Sequence, residues 1–352
     1  MFVGCQSPEP VRIGDAYPRE GEPAVFLATI EPVVETAGVQ IARWTVQATG
    51  FPGWIRSITE QAEVFASDPG IIAVVGHPGS RDALLAASIY NARGIPNLVP
   101  NATSARLGKA GPWIFTLVPN DSVQGEFLAN YAVDSLHAAR ISVLYIGDEY
   151  GIGLRDGVRA ALRRQRQDLV DATLVPGGDC ASQNPGSVFG PIVRAALRRS
   201  PPDVLIIATG SVNGWCAANL AHEANPTTWI LFSDGMDGAK HVPSYAVHVN
   251  SERVRGVTFW EPRADSVNAV FLDRVKPALG RVPDASLALQ YDAYMLLAAA
   301  VRDVGPDRMA IRNWLESLGR TRQPWMGVTG PIAFTRPRSE ILRMTAPDEG
   351  ER

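Results

Sequence analysis

The chain has 352 residues, 46% of them hydrophobic and 20% charged, which is enough for two domains that each bury a core of their own. A formal net charge of -3 gives no electrostatic reason to expect nucleic acid or an acidic membrane as partner, and arginine carries nearly all the positive charge, lysine standing only at Lys109, Lys240 and Lys276. No apolar run approaches the roughly 20 residues of a membrane-spanning helix, Met295 to Val301 being the longest candidate.

In chain order, Val11 to Gly14 reads as a short strand. A polar turn follows, and then an amphipathic helix, Ala24 to Thr36, that Pro32 is expected to kink or interrupt. Val39 to Val46 is a second strand and Pro52 to Ser67 a helix. A βαβ unit comes next: a buried strand (Ile71 to Val75), a tight Gly-rich turn (Gly76 to Ser80), a helix (Arg81 to Arg93) and an apolar strand (Ile95 to Val99). In open α/β sheets ligands gather where strand ends meet helix N-termini, because unpaired N–H groups and the helix dipole favour an anionic group. Two such ends occur here, Gly76-His77-Pro78-Gly79-Ser80 and Pro100-Asn101-Ala102-Thr103. Trp113 to Val118 is a further strand, and the alternation of strand and helix implies a parallel sheet covered on both faces.

At Pro119-Asn120-Asp121 the pattern restarts. Asp121 followed by Gln124 reads as a capping-box-like start to a helix, Ser122 to His137. Four strands then alternate with helices: Ile141 to Ile146, Ala172 to Val175, Val204 to Ala208 and Trp229 to Phe232. They are apolar throughout, as strands buried on both faces should be. Arg159, Arg163, Arg164 and Arg166 read as the solvated face of the helix after Gly153. After Gly256 come a strand (Val257 to Trp260), three helices (Ser266 to Leu279, Leu287 to Val304, Arg308 to Leu318), a Gly-rich apolar segment (Gly327 to Phe334) and a short strand near Ile341 to Met344.

Several residues admit a local explanation. Ser80 can be an N-cap and Thr103 a turn hydroxyl. Gly151-Ile152-Gly153-Leu154-Arg155-Asp156-Gly157, after the strand Ile141 to Ile146, has the G-x-G-x-x-x-G form of a nicotinamide-dinucleotide turn. Its spacing is one residue too long, and Asp148 and Glu149 would lie against the pyrophosphate. No G-x-S-x-G, H-E-x-x-H or P-loop motif is present, and the five histidines are scattered. Cys180 and Cys216 lack C-x-x-C spacing and a nearby histidine, which argues against a metal site; in an oxidising compartment they would pair as a disulfide, and in a cytosolic one they would be small buried hydrophobes. Met1-Phe2-Val3-Gly4-Cys5-Gln6-Ser7-Pro8 resembles the end of a bacterial lipoprotein signal whose basic and apolar regions would lie upstream. On that reading Cys5 is lipidated, and the alternative is a stray cysteine in a disordered tail.

The Gly76…Ser80 turn, the small-residue helix Ala83 to Tyr90, Gly94-Ile95-Pro96 and Pro100-Asn101-Ala102-Thr103…Leu107 together resemble the periplasmic amino-acid-binding proteins of ABC transporters, in particular the leucine/isoleucine/valine-binding family. Leu289 to Tyr294 and Gly327…Gly330…Phe334 extend the resemblance to the C-terminus. It implies that Ser80, Asn101 and Thr103, with neighbouring Gly79, Ala102 and His77, hold the ligand's polar ends. Tyr150 matches a "Y-G-x-G" position whose ring covers the ligand from the second lobe. Asp234 aligns with an acidic residue that meets the ligand's ammonium, although an Asp before Gly235 can equally cap a turn. Ser211 and Val212 stand where Leu/Ile/Val binders resemble one another in having tyrosine, so a roomier pocket is expected. The loop Asp15 to Gly21 is shorter than the family's, and Arg81 and Asp82 add charges that an aliphatic ligand does not need.

The resemblance implies an α/β fold of the type I periplasmic binding class: two Rossmann-like lobes, each a parallel sheet flanked by helices, joined by a three-segment hinge. The expected lobes are residues 1–118 with 260–326 and residues 121–255 with 333–352, with crossings near 118–121, 255–261 and 326–334. The expected function is that of an extracytoplasmic, monomeric substrate-binding protein of an ABC importer. It would close on an amino acid or similar small polar ligand and deliver it to a permease, without cofactor, metal or catalysis. The alternatives are a ligand-sensing regulator or receptor domain of the same fold, and an NAD-dependent enzyme built on the Gly151 turn.

Overall fold

The computed structural model describes residues 11–17, 21–44, 53–177, 187–236, 243 and 246–347. The first sheet contains β1 (Arg12–Asp15), β2 (Gln40–Arg43), β3 (Ile71–Val75), β4 (Asn97–Val99) and β5 (Ile114–Thr116), all parallel and in the order β2-β1-β3-β4-β5. Helices α1 (Glu22–Glu35), α2 (Gly53–Ser67) and α3 (Ser80–Arg93) connect its strands. β3 is buried at every residue, as a strand covered on both faces requires.

The second sheet contains β6 (Ile141–Ile146), β7 (Asp171–Val175), β8 (Val204–Ala208), β9 (Trp229–Phe232) and β10 (Val254–Thr258). Helices α4 (Asp121–Asn130), α5 (Glu149–Arg164), α6 (Phe189–Arg199) and α7 (Ser211–Ala224) flank it. The chain then returns to the first lobe, where α8 (Ser266–Leu279) and α9 (Ala285–Val304) pack on α1, and α10 (Arg308–Ser317) packs on α9. A hairpin of β11 (Trp325–Gly327) and β12 (Gly330–Ile332) leads to β13 (Arg343–Thr345), which pairs antiparallel with β10 at the edge of the second sheet. The second sheet thus runs β13-β10-β9-β8-β6-β7. In both sheets strand order reverses beside the first strand of the lobe, and the crevice outside the strands' carboxyl ends at that switch is where a ligand fits.

Three local expectations need correction. Pro32 does not interrupt α1: it lies on the exposed face, and the carbonyl it leaves without a donor belongs to exposed Ala28, where water replaces the missing bond. The cap of α4 is Asn120, whose side chain accepts from Val123 N at 3.1 Å, so Asp121 and Gln124 form no capping box. The helix beyond Asn130 continues as a π-turn, Tyr131–Ser135, rather than regularly to His137.

The three chain crossings meet at a buried polar cluster. Asp292 of α9 accepts from Val328 N (2.7 Å), Thr329 N (2.9 Å) and Thr329 Oγ1 (2.6 Å) in the β11–β12 turn. Arg338, 2% exposed, donates to the Leu117 carbonyl on the first crossing and to the Thr329 carbonyl. Trp260 Nε1 and Asn268 Nδ2, just past the second crossing, donate to the Val328 carbonyl. Burial raises Asp292 to about 6, against the pull of its donors and of Arg338.

Helices α4 and α5 cross with their backbones nearly touching. A Cβ on Gly125 would lie 2.5 Å from Val158 N, and one on Gly157 would lie 2.6 Å from the Asp121 carbonyl oxygen. Gly157→Val is therefore expected to push the two helices apart and cost about 1–3 kcal/mol in urea unfolding. Gly190→Ala, whose methyl meets nothing within 4 Å, should be neutral or stabilise by up to about 1 kcal/mol. Asp292→Ala leaves Val328 N, Thr329 N and Thr329 Oγ1 without their acceptor and should cost about 1–3 kcal/mol in the same measurement.

Candidate functional site

The first lobe contributes the segment after β4 and the turn before α3. The α3 cap is Gly79, with no side-chain cap bond, so Ser80 is not an N-cap. Its Oγ instead accepts from Ser104 N at 3.1 Å and pins the 102–104 segment beside the N-terminus of α3. Ser80 and Thr103 are 5% and 2% exposed, and Gly79 is exposed at the turn. Asn101 is engaged inside its own lobe: its Nδ2 donates to Tyr17 OH (3.1 Å) and to Ser286 Oγ on α9 (2.6 Å). Ala102 is buried against Leu107 and Val99.

His77 departs from the expected ligand contact. Its ring is fully buried, with Nε2 3.0 Å from the Tyr90 hydroxyl on α3. Burial lowers its pKa to about 3, so the imidazole is neutral.

In the second lobe Asp234 follows β9, where Gln124 of α4 clasps it with two hydrogen bonds: Gln124 Nε2 donates to Oδ1 (2.7 Å) and Asp234 N donates to Gln124 Oε1 (3.0 Å). The Tyr150 hydroxyl lies 2.9 Å from Asp234 Oδ1 and 2.6 Å from Ser233 Oγ, and accepts from Gly235 N. Tyr150 thus orients Asp234 as well as bordering the cleft. Burial pushes the Tyr150 hydroxyl well above 10 and raises the Asp234 carboxyl. Val212, on the first turn of α7, is 44% exposed; the side chain of its neighbour Ser211 is outside the described part of the structure.

The lobes meet at Asp121 and Glu149, neither of them expected at a contact between lobes from the sequence. Asp121 N donates to the Thr103 carbonyl at 2.8 Å. Glu149 accepts from Ser104 Oγ (3.1 Å) and from Arg106 Nη1 (3.0 Å) of the other lobe. The signal that could have found the first of these is the D-x-x-Q spacing of Asp121 and Gln124, which places both on one face of the first helical turn.

The glycines of the Gly151 turn have another use. The N-cap Asp148 already accepts from Gly151 N at 2.9 Å, and Gly153 and Gly157 allow α5 to lie against Asp121 and the start of α4. Those requirements account for the pattern without a pyrophosphate.

Cys216 on α7 is disulfide-bonded, while Cys180, like Cys5, is outside the described residues. Among the described residues no group of histidine, cysteine and carboxylate side chains is placed to hold a metal ion, and no helix is long and apolar enough to cross a membrane.

Residues 57–343 match the periplasmic binding protein family. The chain belongs to that family. It is 25% identical over 341 residues to a Leu/Ile/Val-binding protein homolog 1 of Brucella abortus, covering 92% of this chain and 86% of that one. Its fold is shared with an ABC transporter substrate-binding protein from Desulfitobacterium hafniense in complex with Leu (TM-score 0.76, 21% identity, 97% of each chain). It is also shared with an ABC transporter solute-binding protein from R. palustris in complex with benzoate (TM-score 0.76, 15% identity, 97% of this chain and 94% of that one). The periplasmic binding protein fold expected from the sequence is therefore that of the chain.

The site makes a pH signature. Burial first, and then the nearby Asp234, Glu149 and Asp148 charges, push Asp121 up to about 8. An unfolded Asp titrates near about 4, so between about pH 4 and 8 the folded protein holds a proton that the unfolded chain has lost, and stability falls as pH rises through that window. His77 acts oppositely: neutral when folded and protonated when unfolded, it adds stability with rising pH only up to about 6.5. Urea unfolding is expected to show stability declining from pH 6.5 to 8.5, and Asp121→Asn should flatten that decline.

Proposed function

We propose that this protein is the extracytoplasmic substrate-binding component of an ABC importer and that it binds an α-amino acid between its lobes. What supports the reading is Asp234 of the second lobe, held by Gln124 and Tyr150, together with the 102–104 segment of the first lobe, which Ser80 pins at the N-terminus of α3. A carboxylate at one wall and hydroxyls with helix N–H groups at the other suit the ammonium and carboxylate of a zwitterion. The Leu-bound relative supports an amino acid, and the benzoate-bound one a wider range of carboxylates. A carboxylate without an amine would leave Asp234 without a countercharge, so the amino acid is favoured here.

Capture proceeds by hinge closure, the lobes exchanging near residues 118–121, 255–261 and 326–334. Thr103, Asn101, Ala102, Gly79 and Ser80 serve the carboxylate side; Asp234, Tyr150, Ser211 and Val212 serve the amine and side chain. The Ser104–Glu149–Arg106 bridge joins the closed lobes, but Arg106 is 72% exposed, so the bridge is worth under about 1 kcal/mol and the ligand must supply most of the drive. The protein acts as a monomer with a permease as partner, uses no cofactor and catalyses no reaction. Cys180 is the partner of Cys216, and Cys5 is the lipid anchor.

A thermal-shift screen of the amino acids tests the reading: a ligand at 100 times its Kd should stabilise by about 2.7 kcal/mol. For the best hit, Ser80→Ala and Asp234→Asn are each expected to cost about 1.5–3 kcal/mol of affinity, roughly ten- to a hundredfold in Kd by calorimetry. Unchanged affinity in both variants would remove these residues from the site.

A further inference from the structure

We infer that a pocket at the β5 edge of the first sheet, separate from the cleft, binds a small organic anion: a carboxylate or phosphate head on an aromatic body. The pocket encloses about 350 Å³, within the range of small-molecule sites. Its walls are the 102–109 segment, β5 with the first crossing as far as Asn120, and the 334–337 segment that follows β12. Of the residues assigned to the cleft, Ala102 and Thr103 border it, while Ser80, Tyr150 and Asp234 do not. Occupancy of this pocket is thus independent of the amino-acid reading.

Both charged residues that line the pocket are cations, Lys109 and Arg336, and no carboxylate lines it. Each is exposed, and among the described residues neither side chain has a hydrogen-bond or ion-pair partner. Other guanidinium groups nearby are committed: Arg312 to the Pro112 carbonyl and to Glu316, and Arg338 to the carbonyls of Leu117 and Thr329. Two uncompensated cations over one cavity attract an anion and repel an ammonium.

The uncharged lining supplies donors and an apolar face. Asn120 Oδ1 is taken by Val123 N, which leaves the Nδ2 group of the same amide to donate, and the Thr116 and Thr335 hydroxyls add further donors. Phe115 and Phe334 meet edge to face, with ring centroids 4.9 Å apart, and offer an aromatic surface in the same space. An inorganic ion would leave that surface wet, and an uncharged aromatic would leave the two cations unanswered. A molecule carrying both parts uses both.

Calorimetry with phenylacetate and phenyl phosphate identifies the head. Binding by phenylacetate alone assigns a carboxylic acid, by phenyl phosphate alone a phosphate monoester, and by both a pocket that takes either; each supports the site. Benzyl alcohol, which lacks the head, and inorganic phosphate, which lacks the body, should each bind at least about tenfold more weakly. Lys109→Gln and Arg336→Gln change exposed side chains without partners, so the fold is not at stake. Each should weaken the bound probe about three- to tenfold, whereas Lys276→Gln, at an exposed position of α8, should leave it unchanged. Asp234→Asn tests the location, since a probe in the cleft responds to it and one in this pocket does not. Failure of both phenyl probes to bind overturns the inference. So does benzyl alcohol or inorganic phosphate binding as tightly as they do, or an affinity that follows Asp234→Asn and ignores both Lys109→Gln and Arg336→Gln. Failure of every amino acid to bind, with a phenyl probe still held through Lys109 and Arg336, overturns the cleft reading instead.

Discussion

A buried carboxylate and a buried guanidinium, joined through the Thr329 hydroxyl, sit where the two lobes exchange chain. Asp292 on α9 takes the amides of Val328 and Thr329, while Arg338 reaches the Leu117 carbonyl of the first crossing and the Thr329 carbonyl of the third. The second crossing joins through Trp260 and Asn268 on the Val328 carbonyl. Each of these charges is met by backbone groups and by the Thr329 hydroxyl they share, which holds three backbone segments in one arrangement. That arrangement brings the segment after β4 against the N-terminal turn of α5 and so creates a cleft.

The cleft is built from polar groups that orient one another before any ligand is considered. Gln124 and Tyr150 hold Asp234, and Ser80 holds Ser104. Those contacts fix the rotamers of these side chains, and groups held in this way have less to order when a ligand binds. The second wall is strongly acidic, with Asp121, Asp148, Glu149 and Asp234 close enough to interact. The backbone is similar to that of a benzoate-bound relative.

The Gly151-x-Gly153-x-x-x-Gly157 pattern shows how one spacing can serve two ends. A phosphate loop and a close helix crossing both need residues without a side chain, the first for approach of a ligand and the second for approach of another backbone. Here α4 is the neighbour, through Gly125 and the Asp121 backbone. The intimate crossing also presses the Asp121 carboxylate against Gly153, which is why that acid is buried at all.

The apolar runs Ile71 to Val75, Ile141 to Ile146, Val204 to Ala208 and Trp229 to Phe232 are strands with those same ends in the structure, because a strand covered on both faces writes its burial as an unbroken run of hydrophobic residues. The parallel α/β class follows from that pattern, as do Ser80, Thr103, Tyr150 and Asp234 as residues at strand ends. The roles of polar residues were decided only in three dimensions. Asn120 rather than Asp121 caps α4, His77 turns inward to Tyr90, Asn101 ties its own lobe together, and Asp121 and Glu149 meet the opposite lobe. Sequence spacing records which face of an element a side chain occupies. It carries no record of which distant backbone will stand opposite that face, and for a hydrogen-bonding group the partner, not the face, determines its role.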